Sequence, residues 1–222
     1  LALCLSRSGR YRQSVDSFRK LRAFSKRVGN NWGIGQSYHN CGVAHFENRE
    51  FPKAEACFRK SIDHTRSTGD EFLLGRSLYQ LAMAVLEERP NEAATLLSES
   101  ERVKRKIGDE SGLIGILHGQ GRLAVERGDF RQAIQWFARA EDAARRISYF
   151  EAQSLATFNI GRTHLDLLEY DLALEHFRKA RRLAESEELD NAIRTAVGGE
   201  ALALERLGRN RLAEKAFWRS YE

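Results

Sequence analysis

The chain has 222 residues, a formal net charge of +5 and a sequence isoelectric point near 9.2, with 42% hydrophobic residues, 30% charged residues and only two prolines. That balance excludes a disordered tail, and no apolar run approaches the roughly 18 residues that a membrane-crossing helix needs. The positive charge would suit nucleic acid only if it were gathered on one face. Instead Arg19-Lys20, Arg59-Lys60 and Arg178-Lys179 lie close to Asp16, Glu55 and Glu175, with no interleaved aromatics to stack bases. These pairs are expected to form a solvated outer ridge, which disfavours nucleic acid as a partner.

Apolar periodicity and corner residues place helices over about 11–28, 31–48, 52–68, 71–88, 91–107, 110–127, 131–147, 150–168, 171–187, 190–207 and 211–222. Self-similarity pairs them. Aligning Tyr11, Phe51, Pro90, Phe130, Tyr170 and Asn210 gives a period of 40 residues, shortened once to 39. Three positions after each anchor stands a small residue: Ser14, Ala54, Ala93, Ala133, Ala173 and Ala213. Seven after it stands a large apolar one: Phe18, Phe58, Leu97, Phe137, Phe177 and Phe217. Upstream of the anchors another small residue recurs, as Ala2, Gly42, Ala82, Gly121, Gly161 and Ala201. A glycine inside a helix costs about 1 kcal/mol relative to alanine, so its recurrence implies that two helices approach closely there.

Two corners alternate along this pattern. Arg127-Gly128-Asp129, which in an extracellular protein would suggest cell adhesion, occupies a corner found in every unit, so it is expected to be a hinge, with Gly128 left-handed and Asp129 starting the next helix. Between units, Gly29-Asn30, Gly69-Asp70 and Gly108-Asp109 each put a glycine stop before a capping residue, while Ser148 and Glu188 hold the same place with weaker signals.

The spacing small-x11-Ala-x3-Phe, as in Gly121, Ala133 and Phe137, resembles the core of the tetratricopeptide repeat, or TPR. The repeat here is longer than the usual 34 residues and lacks the terminal proline and most of the tryptophan position. The resemblance is therefore to the longer-repeat branch seen in spindle-orientation adaptors, kinesin light chains and bacterial signalling regulators. HEAT and armadillo repeats have similar length but lack this register. The resemblance implies an all-α, right-handed superhelical solenoid of antiparallel helix pairs, about five and a half repeats in a single domain over residues 1–222. The units would be about 1–28, 29–68, 69–107, 108–147, 148–188 and 189–222.

The chain contains no G-x-x-x-x-G-K-[ST], H-E-x-x-H or G-x-S-x-G pattern, so no phosphate-cradling, zinc-protease or serine-hydrolase reading has a starting point. An enzyme is not expected, and neither a cofactor nor a metal is implied. Cys4, Cys41 and Cys57 are odd in number and form no C-x-x-C pair, which argues against a disulfide framework or a zinc site and favours a reducing, cytoplasmic compartment. His45 and His164, each three residues after the small glycine, are expected to pack in the core. Gly115, Gly119 and Gly121 are expected to serve helix packing.

In such a solenoid the first helix of each pair (A) lines the concave face and the second (B) the convex face. Counting back from the small position gives an aromatic row, His39, Tyr79, His118 and Phe158, beside an amide row, Asn40, Gln80 and Asn159, interrupted by Gly119 and Gly199. One position after it come Val43, Met83, Arg122 and Arg162. In the family, asparagines of the amide row grip the backbone of an extended peptide, and Asn40 and Asn159 match that position. Arg122 with Glu126 and Arg162 with Asp166 have the spacing of helix ion pairs or of polar clamps on a ligand. The expected function is a non-enzymatic scaffold holding a protein or peptide segment in its groove, without membrane association. The alternative is the sensor or regulatory arm of a larger signalling ATPase or transcription regulator. Because residues 1–8 supply only part of an A helix and the last B helix stops short of its siblings, end-to-end self-association is expected at high concentration.

Overall fold

A computed structural model describes residues 10–219. They form eleven helices: α1 Tyr11–Arg27, α2 Asn31–Glu47, α3 Phe51–Thr68, α4 Glu71–Val85, α5 Pro90–Lys106, α6 Glu110–Glu126, α7 Phe130–Arg146, α8 Phe150–Asp166, α9 Tyr170–Ser186, α10 Asp190–Arg206 and α11 Asn210–Arg219. Every expected helix forms, each starting within about a residue of its expected start. The chain is an all-α helical repeat whose neighbouring helices pack in sequence order. The described residues fall into two compact units, 10–119 and 120–219, with the boundary inside α6. Residues 1–8, on which the expectation of self-association partly rested, lie outside the described residues.

The repeated positions build the core of each unit. In the first, Ala54, Phe58, Ala93 and Leu97 are fully buried, and in the second Ala133, Phe137, Ala173 and Phe177 are at most 2% exposed. The recurrent glycines make room for these large side chains. A β-carbon at Gly42 would lie 2.6 Å from the Phe58 ring, and one at Gly161 would lie 3.0 Å from Phe177. At Gly121 it would overlap the Phe137 ring. The wedge residue also presses on the A helix that follows it: a β-carbon would come 2.7 Å from Leu97 at Gly119 and 2.6 Å from Phe177 at Gly199. Phe217 departs from the pattern at 47% exposed, since no described helix follows α11 to cover it.

Most corners share one geometry. At Arg127-Gly128-Asp129, Gly128 has φ +77° and its N–H donates to Val125 O, while the Asp129 N–H reaches back to Ala124 O at 2.8 Å, closing the helix end in a Schellman motif. Asp129 makes no side-chain cap, so only its backbone does the expected work. The same backward bond recurs from Asn30, Glu50, Asp109, Tyr149, Glu169, Leu189 and Arg209. Arg49, Ser148, Leu168 and Glu188 take the left-handed place with φ between 54° and 61°, although none is glycine. Asn30, Asp70 and Asp109 cap their helices as expected, accepting from the backbone N–H of Gly33, Leu73 and Gly112. The shortened repeat is turned differently. Leu86 stays helical and Pro90 begins α5 directly, so no left-handed residue is needed.

Candidate functional site

Within each unit, alternate A helices touch, α2 with α4 and α8 with α10, whereas alternate B helices make no such backbone approach among the described residues. Gly35 on α2 lies where α2 meets α4, since a β-carbon there would come 3.2 Å from Leu73, while the B helices carry the phenylalanine and leucine wedges that fill the space beside the recurrent glycines. Long side chains bridge the wider B spacing instead. Arg59 on α3 pairs with Glu92 on α5 at 2.5 Å, Arg66 with Glu99 at 2.7 Å, and Lys179 on α9 with Glu141 on α7 at 2.6 Å. Arg59, Arg66 and Lys179 are thus each paired with an acid on the neighbouring B helix of their unit. Arg59 is also held by Glu55 of its own helix.

On the A helices the expected groove residues separate into two groups. His39 and Met83 do not line a surface. His39 is 1% exposed, with Nδ1 2.9 Å from Ser77 Oγ and its ring tilted against Phe58 at 5.8 Å. Burial, followed by the nearby charges of Arg76 and Lys104, pulls its pKa down to about 3, so it is a neutral core imidazole. Met83 is 6% exposed and lies where a β-carbon on Gly119 would touch it. The physical reason for His39 is angular: three residues back along a helix turns the side chain only about 60° from the packed small residue. Met83 is drawn in because Gly119 leaves a space beside it.

The other positions are half-buried or exposed. In the first unit Asn40, Tyr79, Gln80 and His118 are half-buried, with the Tyr79 ring lying along Gly115 and Gly119 of α6. In the second unit Arg122, Phe158 and Asn159 are half-buried and Arg162 is exposed. Phe158 rests on Phe177, ring centres 5.2 Å apart, and Asn159 Nδ2 donates to Leu155 O at 3.0 Å. Gly119 and Gly199 interrupt the amide row because Leu97 and Phe177 occupy the space that a side chain there would need. In each unit an amide thus lies next to an aromatic side chain on an A helix, Gln80 beside Tyr79 and Asn159 beside Phe158.

One cluster was missed from the sequence. Cys41, His45 and Cys57 converge in the first unit. Their signal is a C-x3-H pair on one helix face followed by a cysteine on the next helix, a spacing that a search for C-x-x-C pairs does not find.

No family model matches the chain, and a search of curated proteins finds no match. Solved structures do match. The chain is similar to BtubC (BKLC) from P. vanneervenii, with 14% identity and a TM-score of 0.73 over 95% of this chain and 89% of that one. It is similar to a signal transduction ATPase with numerous domains and a tetratricopeptide repeat sensor from Pyrococcus horikoshii, with 17% identity, a TM-score of 0.72 and 95% of this chain covered. NprR in complex with its cognate peptide NprX matches at 12% identity and a TM-score of 0.73 over 97% of this chain. This chain spans only 32% of the ATPase and 63% of NprR. These likenesses show the fold, a TPR-like helical repeat.

Proposed function

We propose that this chain, with its TPR-like fold, is a non-enzymatic interaction scaffold that binds an extended polypeptide segment on the A-helix face. The observation that carries the reading is the crowding of A helices in each unit, which gathers half-buried amides beside aromatic edges: Asn40, Gln80 and Tyr79 in one unit, Asn159 and Phe158 in the other. Backbone amides of an extended segment would find donors and acceptors there, and the exposed Arg162 favours an acidic group on the ligand. NprR, similar in fold, is known with a bound peptide. The unpaired Cys41 and Cys57 fit a reducing, cytoplasmic setting, and no helix among the described residues is long and apolar enough to cross a membrane.

A second reading, the sensor or regulatory arm of a longer signalling ATPase or transcription regulator, is favoured by the likeness to the sensor-bearing ATPase, of which this chain spans about a third. The two readings share the same face and differ in what flanks it. The test of the shared face is a display selection of random linear peptides against the chain, followed by hydrogen exchange of the complex with the strongest binder. Slowed exchange on α2, α4, α8 or α10 supports the reading. Protection confined to α3, α5, α7 and α9 overturns it.

A further inference from the structure

Cys41 and His45 stand one turn apart on α2, and Cys57 comes from α3 across the hairpin closed at Arg49. The two sulfurs and a ring nitrogen of His45 all lie within 4.8 Å of one another. A tetrahedral zinc ion with Zn–S bonds of about 2.3 Å holds its sulfurs roughly 3.8 Å apart. The three side chains can therefore close on an ion by small rotations of their own.

We propose that Cys41, Cys57 and His45 form a binding site for a thiophilic divalent cation, with zinc as the natural occupant and a fourth ligand taken from solvent. His45 is already oriented for the task. Its Nδ1 is 2.5 Å from Glu50 Oε2, so the carboxylate fixes the tautomer and leaves Nε2 as the ligand. Glu50 is in turn held by Lys53 at 3.0 Å. The sulfurs sit in an apolar cluster with Val15, Phe18 and Ala44. Two thiolates cancel the charge of a divalent ion, so the loaded site can be buried there without a net charge. Both cysteines are free thiols, and ion binding expels their protons to solvent as the metal–sulfur bonds form. A cavity of about 380 Å³ lies beside His45, walled also by Val15, Ala44 and Glu50.

The second unit supplies an internal contrast. There His164 makes the same bond to Glu169, at 2.6 Å, and His176 and Ile160 stand where Cys57 and Cys41 do in the repeat. His176 stacks flat on His164 with ring centres 5.3 Å apart. The histidine–glutamate pair is thus a corner device of the fold, and the two thiols are what convert one copy of it into an ion site.

The experiment is titration of the reduced, metal-free chain with cobalt(II), followed by displacement with zinc. The expected result is one equivalent of cobalt with sulfur-to-metal charge-transfer bands and the intense visible bands of a tetrahedral ion, bleached by zinc. Cys41→Ser and Cys57→Ser should each abolish the charge-transfer bands, with helix content checked by circular dichroism, while Cys4→Ser, outside the described residues, should retain them. Glu50→Gln, at a partly exposed corner, should leave the spectrum intact and weaken cobalt binding about ten- to hundredfold. Two results would overturn the proposal: a folded parent chain without thiolate–cobalt bands, or bands that survive both cysteine substitutions. A pair that forms a disulfide under oxidant yet takes no cobalt when reduced would be a redox couple, and also counts against it.

Discussion

Replacing Gly121 with alanine or leucine tests the packing register at its tightest point. A β-carbon there would come within 2.6 Å of Phe137 Cδ1 and 2.8 Å of Cζ, and Phe137 is only 2% exposed, so the ring has little room to retreat. Alanine gains about 1 kcal/mol in helix propensity over glycine, and overpacking of this kind costs about 1–3 kcal/mol. The balance is a loss of about 1 kcal/mol for Gly121→Ala and several for Gly121→Leu. For a chain of this size each kcal/mol lowers the melting temperature by roughly 2–4 °C. Gly161→Ala, where the nearest Phe177 atoms would be 3.0 Å away, should be milder than Gly121→Ala. The assay is thermal and urea unfolding of the three variants and of Gly121→Ala combined with Phe137→Leu, which removes the obstructing ring. A favourable coupling on the order of 1 kcal/mol is expected between those two changes. A Gly121→Leu chain that melts with the parent refutes the register.

Three further outcomes follow from buried or paired charges. Lys104 and Asp109 are 2.8 Å apart with side chains only 5% and 12% exposed, so Lys104→Met, which strands a carboxylate, should destabilise by about 3 kcal/mol in urea unfolding. Burial alone would raise the Asp109 pKa, but Lys104 and the Gly112 N–H outweigh it and hold it below the usual range. Its share of stability is present above the ordinary aspartate range and is lost as pH falls through its lowered value, and that acid-side loss should shrink in Lys104→Met. His39, depressed to about 3 from 6.5, likewise contributes stability above pH 6.5 that drains away as pH falls toward 3; melts of His39→Leu should show a flatter profile across that window. Arg59→Ala removes ion pairs from a partly exposed side chain and should cost less than about 1 kcal/mol, a difference that added salt reduces.

The fold was legible because its signals are periodic and local. Gly42, Phe58, Gly121 and Phe137 recur at fixed intervals, and each interval maps onto one packing contact. The left-handed corners were legible at Gly29, Gly69, Gly108 and Gly128 but faint at Ser148, Leu168 and Glu188, where backbone hydrogen bonds impose a conformation that the side chain does not advertise. The candidate face was only half legible. Spacing identifies which residues share a stripe along a helix, but burial depends on what the next helix presents: Met83 is inside because Gly119 leaves a space, while Arg162 at the equivalent position is outside. Cys41 and Cys57 meet across a hairpin, and a contact between helices is not written in either helix alone.

The central claim, that a peptide lies along the A helices, is tested most directly by titration calorimetry with the strongest peptide from the display selection. The parent, the Asn40→Ala/Asn159→Ala double variant and Arg59→Ala on the B-helix ridge should be compared at one salt concentration. Each lost amide contact is worth about 1 kcal/mol, more where the ligand's own polar group is left buried. Whichever unit takes the peptide, the double variant should therefore bind at least about fivefold more weakly and melt within a few degrees of the parent, while Arg59→Ala should keep parental affinity. Loss of binding in Arg59→Ala with parental affinity in the double variant would place the peptide on the B-helix ridge and contradict the account.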